Sequence, residues 1–285
     1  MRRKVTRDRR LVTYHTIIAA LFTVLIAFPV GAAGAVEKFI TLVGTTSTDN
    51  SGLYEKILPL FTAKTGIKVR VVSVGTGRAI NIASNGDADV LLVHHRPSED
   101  KFVAEGYGVK RFDVMYNDFI IVGPENDPAG IREYKSVVEG LALIAVSKNT
   151  FVSRGDDSGT HKKELSIWRM AGVDAAKASG TWYREAGAGM GATLNTAAAM
   201  PAYTLADRGT WLKFENRGGL RLMVENDPLL LNPYGVILVN PVRHPHVKAK
   251  MGQAFIDWMT GPEGQAAIAA YRIKGVQAFF PNAKR

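Results

Sequence analysis

The sequence predicts an α/β protein of two lobes, each built on a mostly parallel, doubly wound sheet, with a cleft between them. Three observations carry this. Apolar runs of strand length alternate with segments of helical spacing from residue 39 onward, the pattern of a parallel sheet covered by helices. Three strand-to-helix turns, at 44–52, 75–77 and 154–160, are rich in hydroxyls and glycines. In such sheets ligands bind at the carboxyl ends of strands, beside helix N-termini. Gly123-Pro124-Glu125-Asn126-Asp127-Pro128 is the strongest linker signal in the chain, and it marks a first crossing between lobes.

Each element follows from local pattern. Phe39 to Val43 reads as a strand and 44–52 as a hydroxyl-rich loop. A helix follows with Leu53, Ile57, Leu60 and Phe61 on one face, kinked at Pro59 and stopped at Gly66. Ile67 to Val74 is a valine-rich strand, Gly75 to Arg78 a turn, and the next helix ends near Asn85-Gly86. Asp89 to Val93 is a buried parallel strand by its continuous apolar run. His94-His95 has no further ligand at metal spacing and reads as a strand-end loop. Ser98 to Ala104 is a short helix, and Val109 to Val122 gives two strands broken at Asn117-Asp118.

Ile131 to Val146 is helical, and Phe151 to Ser153 is a strand running into the 154–160 turn. Asp157 or Ser158 caps the helix that follows, where Leu165, Trp168 and Ala171 keep helical spacing. Thr181 to Tyr183 is a strand, and Gly187 to Leu194 opens a helix that reaches Met200. Tyr203 to Ala206, Leu220 to Val224 and Val236 to Val239 are strands. Residues 234–241 make the second crossing, and 246–259 and 262–271 are closing helices. The expected organisation is therefore a leader over 1–35, one lobe from 36–122 with 241–285, and a second lobe over 123–240.

The leader has the features of a signal peptide. Arg2, Arg3, Lys4, Arg7, Arg9 and Arg10 precede an apolar run from Ile17 to Phe28, and Ala33-Gly34-Ala35 supplies a cleavage site. The run is short for a membrane span. Six of the 36 basic residues and one of the 26 acidic ones fall in these first 35 positions, so the rest of the chain carries +5 of the formal +10. That balance, without a long basic run, does not point to nucleic acid. The chain has no cysteine, which excludes disulfides, thiolate metal sites, thiol nucleophiles and a lipoprotein anchor. An exported chain with no lipid anchor, cleaved near Ala35, fits a periplasmic protein, expected as a monomer.

The turn at 154–160 holds the densest chemistry. A helix N-terminus leaves N–H groups unpaired and carries partial positive charge. Ser158 and Thr160 add hydroxyls, Gly159 lets a ligand approach the backbone, and Arg154 adds a cation with a planar fork of donors. Together these suit a small oxyanion. Thr45, Thr46 and Ser47 in the first loop, and Thr76 and Gly77 in the second, offer further donors. The Gly75-Thr76-Gly77 step lacks the third glycine of a dinucleotide fingerprint. The expected site binds one tetrahedral dianion between both lobes, with no free metal cation and no cofactor.

Several motifs resemble the periplasmic tungstate-binding proteins of ABC importers, within the type II periplasmic binding-protein fold. They are Gly44 to Asp49, Gly75 to Ala79, Ala88 to His94, Phe151 to Thr160, Gly189 to Asn195 and Tyr203 to Thr210, spread over most of residues 38–285. The resemblance implies an oxyanion ligand, tungstate with molybdate as a second candidate, held by Thr45 or Thr46, Ser47, Arg154 and Thr160. It also implies membrane permease and ATPase partners. Gly44 departs from the pattern, since many relatives have a third threonine there.

Two other readings compete. Arg154-Gly155-Asp156-Asp157-Ser158-Gly159-Thr160 also fits the pattern of phosphate-binding proteins of this fold. Phosphate keeps a proton near neutral pH and rewards an acceptor, whereas tungstate needs only donors. Asp156 pointing into the cleft would favour phosphate, and Asp156 paired with Arg154 would only orient the fork. A secreted hydrolase using Ser158 and His161 is the reading from another class. Three residues apart on one helix they do not form a nucleophile–base–orienter set, and no G-x-S-x-G elbow is present.

Overall fold

Three parallel strands set the frame of the computed structural model, which describes residues 37–284. The leader read over 1–35 lies outside the described residues. β1 (Phe39–Thr45) lies between β2 (Lys68–Val74) and β3 (Val90–Val93), parallel to both. All four side chains of Val90-Leu91-Leu92-Val93 are buried, as in a strand covered on both faces. At the sheet edge β2 begins by alternating exposed and half-buried residues. No helix among the described residues is long and apolar enough to cross a membrane.

The segment expected as a loop over 44–52 is mostly a short helix, α1 (Thr46–Ser51), which starts directly after β1. Left-handed Gly52 ends it by donating to Asp49 O at 2.8 Å, and α2 (Leu53–Thr65) begins at once. Pro59 sits inside α2 without ending it. α3 (Thr76–Ser84) and α4 (Arg96–Ala104) follow β2 and β3.

β4 (Gly108–Pro124) is one continuous strand, where the sequence suggests two. Asn117 and Asp118 do not break it because both stay in register with β9 (Leu231–Val239), opposite Asn232 and Leu231. Beyond them β4 changes partners, to β7 (Thr204–Asp207) and β8 (Leu220–Val224), both antiparallel. β3 also pairs with β9 antiparallel, so a parallel set β2-β1-β3 is extended by two long antiparallel strands.

α5 (Val137–Ser147) starts six residues later than the helical pattern from Ile131 suggests. The N–H groups of Ile131 and Arg132 are taken by the Asp127 carboxylate at 3.1 and 2.9 Å, which holds this stretch as a turn. β5 (Phe151–Ser153) pairs in parallel with β6 (Tyr183–Glu185). α6 (Gly159–Met170), α7 (Met190–Ala199) and α8 (Arg208–Lys213) complete this half. α9 (Ala249–Thr260) and α10 (Pro262–Ala270) close the chain, followed by the two-residue strands β10 (Arg272–Ile273), β11 (Val276–Gln277) and β12 (Phe280–Pro281). α9 starts after 246 because Lys248 N donates to Asp89 Oδ1 at 2.7 Å, which ties the preceding segment to the β3 edge.

The buried apolar side chains divide by sequence. Two clusters, containing Leu42, Phe61 and Phe255 and containing Leu91, Phe102 and Ile237, draw only on residues up to Met115 and from Tyr234 onward. Two others, containing Phe151, Trp168 and Tyr203 and containing Val122, Leu194 and Trp211, lie wholly between Phe119 and Leu230. The changeover falls inside the paired strands β4 and β9, a few residues before the Gly123–Pro128 turn. The result is two lobes joined by two antiparallel strands.

Candidate functional site

Parallel register explains why distant motifs meet. Thr45 pairs with Val74, and Gly44 with both Ser73 and Leu92, so β1, β2 and β3 end at one edge. That edge receives Thr45 to Ser47, then Gly75 and Thr76, then His94. In the second lobe, β5 ends at Ser153 just before Arg154, and a parallel bridge joins Phe151 to Tyr203. The carboxyl end of β7, at Asp207, therefore lies on the same edge as Arg154.

The two lobes touch through these turns. Gly159 N donates to Thr76 Oγ1 at 3.1 Å. A Cβ on Gly159 would lie 2.7 Å from His94 Cε1 and 3.0 Å from Thr76 Oγ1, so the approach requires glycine. Ser158 caps α6, its Oγ accepting from His161 N at 3.2 Å. Ser47 Oγ lies 3.2 Å from Thr45 Oγ1 and 3.3 Å from His94 Nε2, and Thr45 Oγ1 lies 2.9 Å from Thr48 Oγ1. The structure thus gathers Thr45, Ser47, Thr76, Arg154, Ser158, Gly159 and Thr160, all buried. Thr46 and Gly77 are half-buried, in the first turns of α1 and α3, and Gly77 faces Asp157.

Arg154 is 3% exposed. Its Nη2 donates to Asp156 Oδ2 at 2.5 Å, and Asp156 Oδ1 accepts from Ser158 N at 3.2 Å. Both Asp156 oxygens are therefore engaged within their own turn, orienting the guanidinium. Among the buried side-chain atoms without a partner, two belong to this turn: Arg154 Nε and Thr160 Oγ1. Buried polar groups are nearly always paired, and an unpaired donor gives up its solvation for nothing. Both donors belong to the turn that meets Thr76, which is what a site awaiting an acceptor requires.

Sequence reasoning missed several residues here. His94, read as a loop residue, packs at the centre, its ring 4.8 Å from that of Tyr234 and 6.2 Å from that of Phe119. Burial, with the Arg154 charge nearby, pushes its imidazole down to about 4, so the ring is neutral. Its signal was present, as the last residue of the Ala88–His94 motif. Asn117 and Asn232 sit behind it. Burial raises the Asp207 carboxyl above the usual range, opposed by the Thr210 N–H and by Arg154. Gly44 also gains an explanation. A Cβ there would lie 2.3 Å from the Tyr54 hydroxyl, which fills the space a side chain would take.

A cavity of about 400 Å³ opens onto His94 and Gly159. Arg96, Lys162, Lys163 and Arg169 line it, with no acidic residue in its wall. Arg96 and Lys162 are paired with Asp100 and Asp157, so part of this positive charge is already balanced. Ser158 and His161 do not form a catalytic pair. The Ser158 hydroxyl oxygen is spent on the helix cap, and His161 Nδ1 accepts from Asp157 N at 3.2 Å. Among the described residues no group of three or more His, Asp or Glu could hold a metal ion.

Comparison with known proteins identifies the family of the chain. Residues 30–263 match the family model of a PBP superfamily domain. The chain is 45% identical to the tungstate-binding protein TupA of Peptoclostridium acidaminophilum, over 95% of this chain and 98% of that one. The crystal structure of the tungstate ABC transporter from Geobacter sulfurreducens superposes with a TM-score of 0.76 at 50% identity, over 82% of this chain and 99% of that one. The tungstate binding protein TupA from Desulfovibrio alaskensis superposes with a TM-score of 0.76 at 42% identity, over 87% and 100%. With a family model and near full-length relatives in agreement, the chain belongs to the PBP superfamily and, within it, to the family of TupA tungstate-binding proteins.

Proposed function

We propose that this chain is the periplasmic solute-binding component of an ABC importer, and that it captures tungstate, with molybdate as a second ligand, between its lobes. The observation that carries this is the pair of buried, unpartnered donors, Arg154 Nε and Thr160 Oγ1, at the contact between lobes. Ser47, Thr76 and the loop carrying Thr45 and Thr46 supply donors from one lobe. Arg154, Ser158, Gly159 and Thr160 supply them from the other, with Gly77 at the rim. A dianion leaving water needs a donor at every oxygen, and Arg154 provides the one formal positive charge among these residues. Rotation about β4 and β9 would open and close the cleft. The protein acts as a monomer that delivers its cargo to membrane permease and ATPase subunits, without catalysing a reaction and without a cofactor.

One observation favours phosphate: Asp207 Oδ2 is a buried acceptor without a donor, and a protonated oxyanion could donate to it. Against this, Asp156, the acceptor in the phosphate-like motif, is already paired with Arg154. Competition calorimetry of residues 36–285 with tungstate, molybdate and phosphate separates the readings. Tungstate should displace phosphate, and the melting temperature should climb with tungstate above its Kd. Phosphate outcompeting tungstate, or no heat and no thermal shift with any oxyanion, overturns the proposal.

A further inference from the structure

Asp207 ends β7 at the edge where β5 delivers Arg154, and it is fully buried. Its Oδ1 caps α8, accepting from Thr210 N at 2.8 Å, whereas Oδ2 has no partner. The neighbouring Thr210 hydroxyl makes no hydrogen bond either. Asp207 and Arg154 are not joined, since Arg154 Nη2 is on Asp156 and Arg154 Nε is on nothing. One edge thus presents a buried guanidinium N–H and a buried carboxyl oxygen, both idle. Two residues on, Gly209 packs against the first lobe: a Cβ there would lie 3.1 Å from Ser51 Cβ. Asp207 therefore stands at a second contact between lobes, against the helix α1 that begins at Thr46.

The charges at this edge do not suit a dianion if Asp207 is ionised. Arg154 contributes +1 and Asp156 and Asp207 contribute −1 each, a sum of −1 before a dianion arrives and −3 with it. Asp156 keeps its charge, because Arg154 and the Ser158 N–H both donate to it. Asp207 has neither water nor a cation partner, and burial favours its neutral acid. Arg154 faces it from the turn after β5, and the neutral Tyr234 phenol faces it from β9. Arg208 is turned away to Asp118 and Glu225. Asp49 of α1 is exposed, and the His94 ring is neutral. Of these groups only Arg154 opposes protonation, and a dianion beside Asp207 would favour it further.

Protonation also changes what Oδ2 can do. A fully ionised oxyanion only accepts, so a carboxylate beside it is a repelling acceptor. A buried carboxyl kept neutral near pH 7 is instead a hydrogen-bond donor.

We propose that in the loaded site Asp207 is a neutral carboxylic acid whose Oδ2–H donates to the oxyanion beside Arg154. This rests on the oxyanion reading and deepens it. Tungstate accepts that hydrogen bond, whereas monohydrogen phosphate brings a proton of its own that needs an acceptor there. Selectivity then follows from which partner carries the proton.

Infrared spectra of the tungstate complex with 13C-labelled aspartate, wild type minus Asp207→Asn, read the protonation state. A neutral carboxyl band that Asp207→Asn removes is expected, and a carboxylate band in its place overturns the proposal. Calorimetry adds a second reading. Asn keeps both the α8 cap and a donor, so Asp207→Asn should bind tungstate about ten-fold more tightly than Asp207→Leu. Equal affinities overturn the proposal, as do both variants binding more tightly than the wild type, the result of removing a repelling carboxylate. If Asp207→Leu does not fold, the spectrum decides. Tungstate bound beside an ionised Asp207 overturns this proposal alone, whereas a wild type that binds no oxyanion overturns the ligand reading with it.

Discussion

Replacing Arg154 by Met separates binding from folding. The guanidinium is 3% exposed, with one hydrogen bond of 2.5 Å to Asp156 and an unpartnered Nε. Removing one partner of a desolvated, hydrogen-bonded charge pair costs about 2–5 kcal/mol of binding, so tungstate affinity should fall by about 30-fold to several thousand-fold. The free protein should respond differently. Removing one partner of a fully buried ion pair typically costs about 3–5 kcal/mol by stranding the other charge, but Asp156 is itself 16% exposed to water and is stranded only in part. Asp156 keeps the Ser158 N–H, so it is not left bare. Ligand-free unfolding in urea should therefore change by no more than about 1 kcal/mol, below the size of most core lesions. Calorimetry with tungstate and urea titration without it test both halves. Affinity unchanged to within about three-fold would refute the counter-charge argument. A loss of stability as large as the loss of affinity would show Arg154 to be structural.

Three further outcomes follow from the same contacts. Gly159→Ala should weaken tungstate binding, because the methyl must displace His94 or Thr76 at a cost of about 1–3 kcal/mol; wild-type affinity by calorimetry would show that the lobes do not close at this contact. Gly44→Thr should destabilise by a similar amount, and Tyr54→Phe should recover much of it by removing the hydroxyl that fills the site. Additive effects in that double-mutant cycle would exclude the steric coupling. Glu164 accepts from Tyr183 Oη at 2.7 Å and Trp168 Nε1 at 3.2 Å, and burial pushes its carboxyl up to about 7. A raised folded-state value means its contribution is full below about pH 4.5 and lost as pH rises through about 7, on the order of 3 kcal/mol in all. Glu164→Gln should flatten that decline in denaturant titrations across pH 5–8, and parallel profiles for the two proteins would rule out Glu164 as its source.

Much of this protein was legible in one dimension. Strand and helix patterns, hydroxyl-rich turns and the Arg154–Thr160 motif depend on local preference: apolar period, capping residues, glycine where backbone approaches backbone. Hence the parallel set β2-β1-β3, and the hydroxyls and glycines at its carboxyl edge, could be read from the sequence. Other features depend on what a residue meets in space. Asn117-Asp118 looks like a break until β9 supplies register partners. Thr46 to Ser51 reads as a loop because six polar residues carry no helical face, yet they form α1. His94 looked unremarkable because its meaning comes from Ser47, Asn232 and Gly159, residues far from it in sequence. Whether Asp156 would face a ligand or pair with Arg154 was likewise a question of side-chain direction within one turn, which spacing does not encode. Local chemistry named the donors, and the tertiary contacts decided which of them are buried, paired or left waiting for an acceptor.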